Sequence, residues 1–152
     1  MGTSESTRRA GRRGDLFDPA CPTRQLLDRV GTKWTAMIVK LLADAGADAG
    51  ADAGADAGAD AGADADARGS ELRFAELERR MPGVSHKMLA QTLRTLGDDG
   101  LVRRRVQDTV PPRVFYSLTP LGRSLSAPLA LLREWAEEHM AEIDDVRTAR
   151  GR

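Results

Sequence analysis

The sequence predicts a mainly α-helical chain with one small β-hairpin, an α+β arrangement built around two short helices and the hairpin that follows them. Three observations carry this. Phe74, Leu77 and Met81 recur at helical spacing, and Met81-Pro82-Gly83 breaks the run. A second helical stretch, residues 84–96, follows at once with Ser85 placed to cap it. Residues 101–106 and 114–118 then change to β-branched and aromatic residues around a polar, proline-bearing tip, which reads as a hairpin. A helix-turn-helix followed directly by a two-stranded hairpin is the arrangement of a winged helix.

The elements before this region are helical. Pro22 suits the first turn of a helix, where its missing N–H costs nothing. Leu26, Leu27 and Val30 form its apolar stripe, and Gly31 ends it. Trp34, Met37, Ile38, Leu41 and Leu42 then recur at the spacing of a buried helix face. After the hairpin, Thr119-Pro120 opens another helix, which Pro128 is expected to kink or restart. Beyond it, Leu129, Leu132, Ala136, Met140 and Ile143 recur with Trp135 beside them, opposite an acidic face of Glu134, Glu137, Glu138 and Glu142.

Between the early helices and the hairpin region, ADAG occurs five times in tandem from Ala43 to Gly62. Alanine favours helix, but each glycine costs about 1 kcal/mol in a helix interior, and aspartates four apart repel. The expectation is a low-complexity, disordered insert over residues 43–68. Either it has no specific role, or it is an acidic mimic that competes with DNA for basic surface. The domain organisation expected is a disordered basic tail at 1–18, one domain at 19–142 interrupted by that insert, and a fraying tail at 143–152.

Charge points the same way once the insert is set aside. Over its 152 residues the chain is formally neutral. Residues 43–67 hold seven aspartates and no basic residue, and without them 23 basic face 16 acidic residues, a net of +7. Basic surface is the electrostatic footprint of phosphate binding. No run approaches the roughly 18 apolar residues of a membrane span, and the polar N-terminus lacks the apolar core of a secretory signal, so a cytoplasmic chain is expected.

The second helix of the motif supplies the candidate readers. Projected at about 100° per residue, Leu89, Leu93 and Leu96 share one side while Lys87, Gln91 and Arg94 fall opposite. Lysine and arginine match guanine O6 and N7, and glutamine matches adenine N6 and N7. The plainer reading is an ordinary solvated helix face. The hairpin region, residues 101–123, weighs against it, because Arg103, Arg104, Arg105, Arg113 and Arg123 face only Asp108 there. Arg103 and Arg105 share a strand face and Arg113 lies at the tip, which suits phosphates. Ser85 and His86, at the start of the helix, are assigned to phosphates as well.

Enzyme chemistry finds no footing. The only cysteine, Cys21, and the only histidines, His86 and His139, are too few and too dispersed for a metal cluster, and the ADAG glycines lack any phosphate-cradling pattern. Neither a metal nor another cofactor is expected.

Several segments together resemble the HxlR-type transcriptional regulators, a branch of winged-helix proteins related to MarR. They are Cys21-Pro22, Gly31-Thr32-Lys33-Trp34-Thr35, Arg73-Phe74-Ala75-Glu76-Leu77, Gly83-Val84-Ser85-His86-Lys87-Met88-Leu89, Gly100-Leu101-Val102-Arg103-Arg104, Pro111-Pro112-Arg113-Val114 and Tyr116-Ser117-Leu118-Thr119-Pro120-Leu121-Gly122, with Trp135 beyond. The resemblance implies a homodimer with N- and C-terminal dimerisation helices, so that Leu26, Leu129, Leu132, Trp135, Ala136 and Met140 become candidate dimer contacts. It implies a sequence-specific regulator, repressor or autoregulator, of a pseudo-palindromic duplex operator, with an effector the sequence does not name. It also implies that Cys21 is a candidate sensor of oxidants or electrophiles, where anions are favoured by the helix dipole; the alternative is a small apolar residue at the dimer surface. Two departures stand out. The family has a short turn in place of the ADAG run, and a glutamate where Phe115 stands. The competing functional class is a winged helix used for protein–protein contact without specific DNA binding.

Overall fold

The computed structural model describes residues 14, 16–52 and 70–151. Most of the basic tail, Arg8, Arg9, Arg12 and Arg13 included, and residues 53–69, which take in the rest of the insert, lie outside the described residues. The chain divides into two compact units, residues 1–32 and 33–152.

In the first unit, Asp18 turns the chain into a helix. Its side chain accepts from the Ala20 N–H at 2.9 Å and its carbonyl from the Cys21 N–H at 3.0 Å. Helix α1 spans Pro22–Val30, with proline in its first turn as expected and the Gly31 N–H closing onto the Leu27 carbonyl at 2.8 Å. Of its apolar stripe only Val30 is buried; Leu26 and Leu27 are exposed.

The second unit begins with α2, Lys33–Asp52. Ile38, Val39 and Leu42 are buried on its inner face, with Trp34, Met37 and Leu41 half-buried. The helix does not stop at Leu42. It runs on to Asp52, through residues expected to form a disordered loop. Nucleation is the costly step of helix formation, and a packed first half supplies it; each further alanine then adds a backbone bond cheaply. A Lys40–Asp44 pair at 2.6 Å, one turn apart, further offsets the repulsion between aspartates.

Strand β1, Leu72–Arg73, leads directly into α3, Phe74–Arg80. The turn after α3 needs Gly83, whose φ of 84° a side chain would strain. Helix α4 spans His86–Asp98, strands β2 and β3 span Val102–Gln107 and Arg113–Leu118, and α5 runs over Pro120–Arg150. The sheet has three strands in the order β1-β3-β2, all antiparallel, rather than the two expected. β1 pairs Leu72 with Tyr116 and Arg73 with Phe115. Two residues are too few to show a period in sequence, and their partner lies more than forty residues away.

The core gathers Ile38, Leu42, Leu77, Met81, Leu89, Leu93 and Leu96 against the inner face of the sheet, Leu72, Val102, Tyr116 and Leu118. This places α4 and the hairpin side by side. Thr119 ties the start of α5 to the same corner: its hydroxyl accepts from the Gly122 N–H at 3.0 Å and donates to the Gly100 carbonyl at 2.6 Å. A Cβ at position 122 would collide with the Leu101 carbonyl, so this approach requires glycine. Helix α5 differs from expectation twice. It passes Pro128 without restarting, and it continues through the supposed tail to Arg150. Pro128 deprives only the Ser124 carbonyl of its partner, and both residues are exposed, so water can satisfy it. A pair between Arg147 and Asp144, at 3.5 Å, lies in the last turns of the helix.

Candidate nucleic-acid interface

The interface is built on α4. Ser85 caps the helix as expected, its hydroxyl accepting from the Met88 N–H at 3.0 Å. That hydroxyl can still donate outward, and the first turn of α4 carries no acidic side chain to occupy its positive end. Leu89, Leu93 and Leu96 are at most 2% exposed, and Lys87, Gln91 and Arg94 stand exposed on the other side, as the projection required. Among the described residues, none of these three side chains makes a hydrogen bond or ion pair within the chain. Thr92 and Thr95 flank this face but turn their hydroxyls back onto the Met88 and Gln91 carbonyls, at 2.8 and 3.0 Å. The free donors on this face are therefore the long ones.

His86 is partly committed. Its ring lies 4.7 Å from that of Phe74, and its Nδ1 lies 3.4 Å from the Glu78 carboxylate, so it ties the start of α4 to α3 while remaining exposed. A phosphate would have to share it with Glu78.

The hairpin divides its arginines by strand face. Arg103 and Arg105 do point the same way, and Arg103 and Arg113 are exposed without a partner among the described residues. Arg105 corrects the expectation that it holds phosphate. Its Nε donates to both oxygens of Glu71, at 2.9 and 3.1 Å, and its Nη2 to one of them at 2.6 Å. The Glu71 side chain is 2% exposed, so this carboxylate is buried and the arginine is what neutralises it. The Glu71 hydrogen bond, then its charge, raise the guanidinium pKa above its ordinary value, against an opposing desolvation. The guanidinium also lies 4.5 Å over the Phe115 ring, with that of Arg73 5.4 Å from the same ring. Phe115, where the family resemblance expected glutamate, is thus flanked by cations, and the carboxylate comes from Glu71 instead. Arg123 is likewise spent, donating to the Leu118 carbonyl at 3.2 Å.

Arg104 was passed over in sequence, because alternation sets it apart from Arg103 and Arg105. That alternation puts it on the side of α4. Arg104 pairs with Tyr116 across the strands, and it lines one groove with Arg94 of α4.

Residues 66–144 match the family model described as HxlR-like helix-turn-helix. The chain belongs to that family. The HTH-type transcriptional regulator YtfH of Escherichia coli is 36% identical over 137 residues, covering 90% of this chain and 89% of that one. Among solved structures, a transcriptional regulator ytfH from Salmonella typhimurium superimposes with a TM-score of 0.67 at 35% identity, over 89% of this chain and 98% of the other. A redox regulator, HypR in its reduced form, gives 0.60 at 29% identity, over 82% and 98%. The family consists of transcriptional regulators, so this HxlR-type chain is a helix-turn-helix regulator and not an enzyme. Among the described residues, no helix is long and apolar enough to cross a membrane.

The remaining candidate residues fall elsewhere. Cys21 precedes α1, makes no cap hydrogen bond and is buried at 4% exposure. On α5, Leu132, Trp135 and Met140 are exposed, and Leu129 and Ala136 are half-buried.

Proposed function

We propose that this regulator binds a pseudo-palindromic duplex operator as a homodimer, in the cytoplasm, with α4 of each protomer in a major groove. The observation that carries the reading is the face of α4: Lys87, Gln91 and Arg94, exposed and unengaged, opposite a fully buried leucine face. Lys87 and Gln91 read base edges, and Arg94 extends the donor face toward the wing. Ser85 and His86 hold phosphate at the helix start, and Arg103 and Arg113 hold it from the hairpin. Two half-sites about one helical turn apart, roughly 34–36 Å, match two recognition helices of a twofold dimer. The exposed apolar residues of α5 support the dimer.

A mobility-shift assay with the chain's own upstream promoter fragment tests this. A shift that survives excess scrambled duplex is the expected result. No shift at low salt, with and without reductant, favours a protein-contact module instead.

The second part of the reading is a thiol response. Similarity to a protein described as a redox regulator supports it, and as the only cysteine, Cys21 forms a disulfide only with another molecule. Diamide is expected to change the operator shift of wild type and leave Cys21→Ser unchanged; equal responses remove Cys21 as the sensor.

A further inference from the structure

The groove between α4 and the sheet holds two guanidiniums and little to neutralise them. Its floor is apolar: Leu93, Val102 and Tyr116 are all buried. Arg94 reaches it from the helix and Arg104 from β2, both exposed. Asp98 is the one carboxylate in the lining, and neither arginine pairs with it. Among the described residues, neither guanidinium makes any hydrogen bond or ion pair. The contrast with the next residue is sharp, since Arg105 spends its fork on a buried carboxylate. Arginine stems lie readily along apolar surface while their heads stay solvated. Two such heads rimming one groove repel each other until an anion sits between them.

We propose that Arg94 and Arg104 form a two-guanidinium clamp on a single backbone phosphate at the edge of the major groove, so that Arg94 positions the helix rather than reading a base. The proposal rests on the DNA-binding reading above. A phosphodiester fits because a guanidinium fork bonds its two free oxygens in parallel, and two forks from different elements hold it from two sides. The clamp also couples the wing to the recognition helix: one phosphate fixes the distance between them and thereby the depth to which Lys87 and Gln91 reach.

Operator binding measured by fluorescence anisotropy across a salt series tests the clamp, with Arg94→Ala, Arg104→Ala and the double variant beside wild type. Each neutralised phosphate contributes about 0.9 to the log–log salt slope. Each single substitution should weaken operator and scrambled duplex alike, by about ten-fold or more, while keeping most of the slope, because the remaining guanidinium still neutralises the phosphate. The double variant should flatten it by about one, because both side chains serve the same phosphate and neither is left to neutralise it. Arg104→Lys, which keeps the charge, should keep the slope. A set of operators carrying one neutral methylphosphonate each gives a second readout. One position per half-site should weaken wild type and leave the double variant unaffected. A double-variant loss of about two assigns separate phosphates and overturns the clamp. So does an Arg94→Ala variant that loses preference at one operator base pair while keeping its slope. If wild type binds no duplex at low salt, the DNA-binding reading itself fails. Thermal melts matching wild type confirm that the variants are folded.

Discussion

Helices α4 and α5 solve the problem of being a helix in opposite ways. In 13 residues α4 buries three leucines, carries a side-chain cap and leaves its polar face outward. It is complete within one chain. In 31 residues α5 buries only Gly122, which has no side chain to bury. Leu121, Leu131, Leu132, Trp135 and Val146 are all more than half exposed. Single exposed apolar residues are ordinary on a protein surface, but this many along one helix are not. The difference separates a helix whose outward face is free to meet a polar ligand from one whose outward face still needs apolar cover. The far half of α2 is a third case, in which an already nucleated helix is extended through residues of mixed propensity.

The largest effect expected is the loss of α4's anchor. Leu93→Ala should destabilise the chain by about 2–5 kcal/mol in urea unfolding, the range for a leucine whose cavity does not collapse. A loss under about 0.5 kcal/mol would mean that α4 is not held by its core face, and the contrast with α5 would dissolve.

The complementary substitution is on α5. Trp135→Asp should leave the protomer folded yet raise the dimer dissociation constant at least about thirty-fold, the scale of a buried aromatic anchor at about 2 kcal/mol. Sedimentation across a concentration series reads this directly. The same variant should lose operator affinity, because two half-sites no longer act together. If it sediments like wild type, the exposed face of α5 is covered by something other than a second copy.

Ser85→Ala isolates the cap. About 1 kcal/mol should be lost from stability, and Ser85→Gly should lose only a few tenths. Equal losses in the two variants would show that the hydroxyl matters for more than the Met88 N–H.

The Glu71–Arg105 pair makes a prediction about pH. A guanidinium raised above its ordinary value contributes stability that is fully present below that ordinary value and is lost only as pH climbs through the higher folded-state value. The stability difference between wild type and Arg105→Met should therefore be the same at about pH 7 and about pH 10. A difference that shrinks across that window would show that the pairing seen here is not what holds the hairpin.

The interface was more legible in the sequence than its neighbours because its signals are local. Three leucines at helical spacing, a serine before them and a glycine in the preceding turn specify α4 within fifteen residues, and the outward donors follow by geometry. The hairpin was legible for the same reason. What sequence could not supply were pairings across long stretches of chain. β1 is two residues long and takes its meaning from β3. Arg105 looked like a phosphate ligand because its partner, Glu71, is 34 residues away. Arg104 was overlooked because its role depends on which sheet face meets α4, a fact of tertiary packing.

The reach of α2 and of α5 escaped for another reason, since local propensity was read correctly and given too much weight. Glycine every fourth residue and aspartates one turn apart do oppose helix, yet a helix already paid for by its packed half tolerates them. Gly46→Ala tests this with the smallest effect of the set. Among the described residues, a methyl group at position 46 meets only the Ser70 Cβ, at an ordinary 3.6 Å. In a helix the substitution should stabilise the chain by about 0.5–1 kcal/mol, since alanine loses less backbone freedom on folding than glycine. In a solvated loop it would change almost nothing. A null result at Gly46, beside a gain from Gly97→Ala in α4, would shorten α2 to its packed half and return the ADAG run to the loop that its composition suggests.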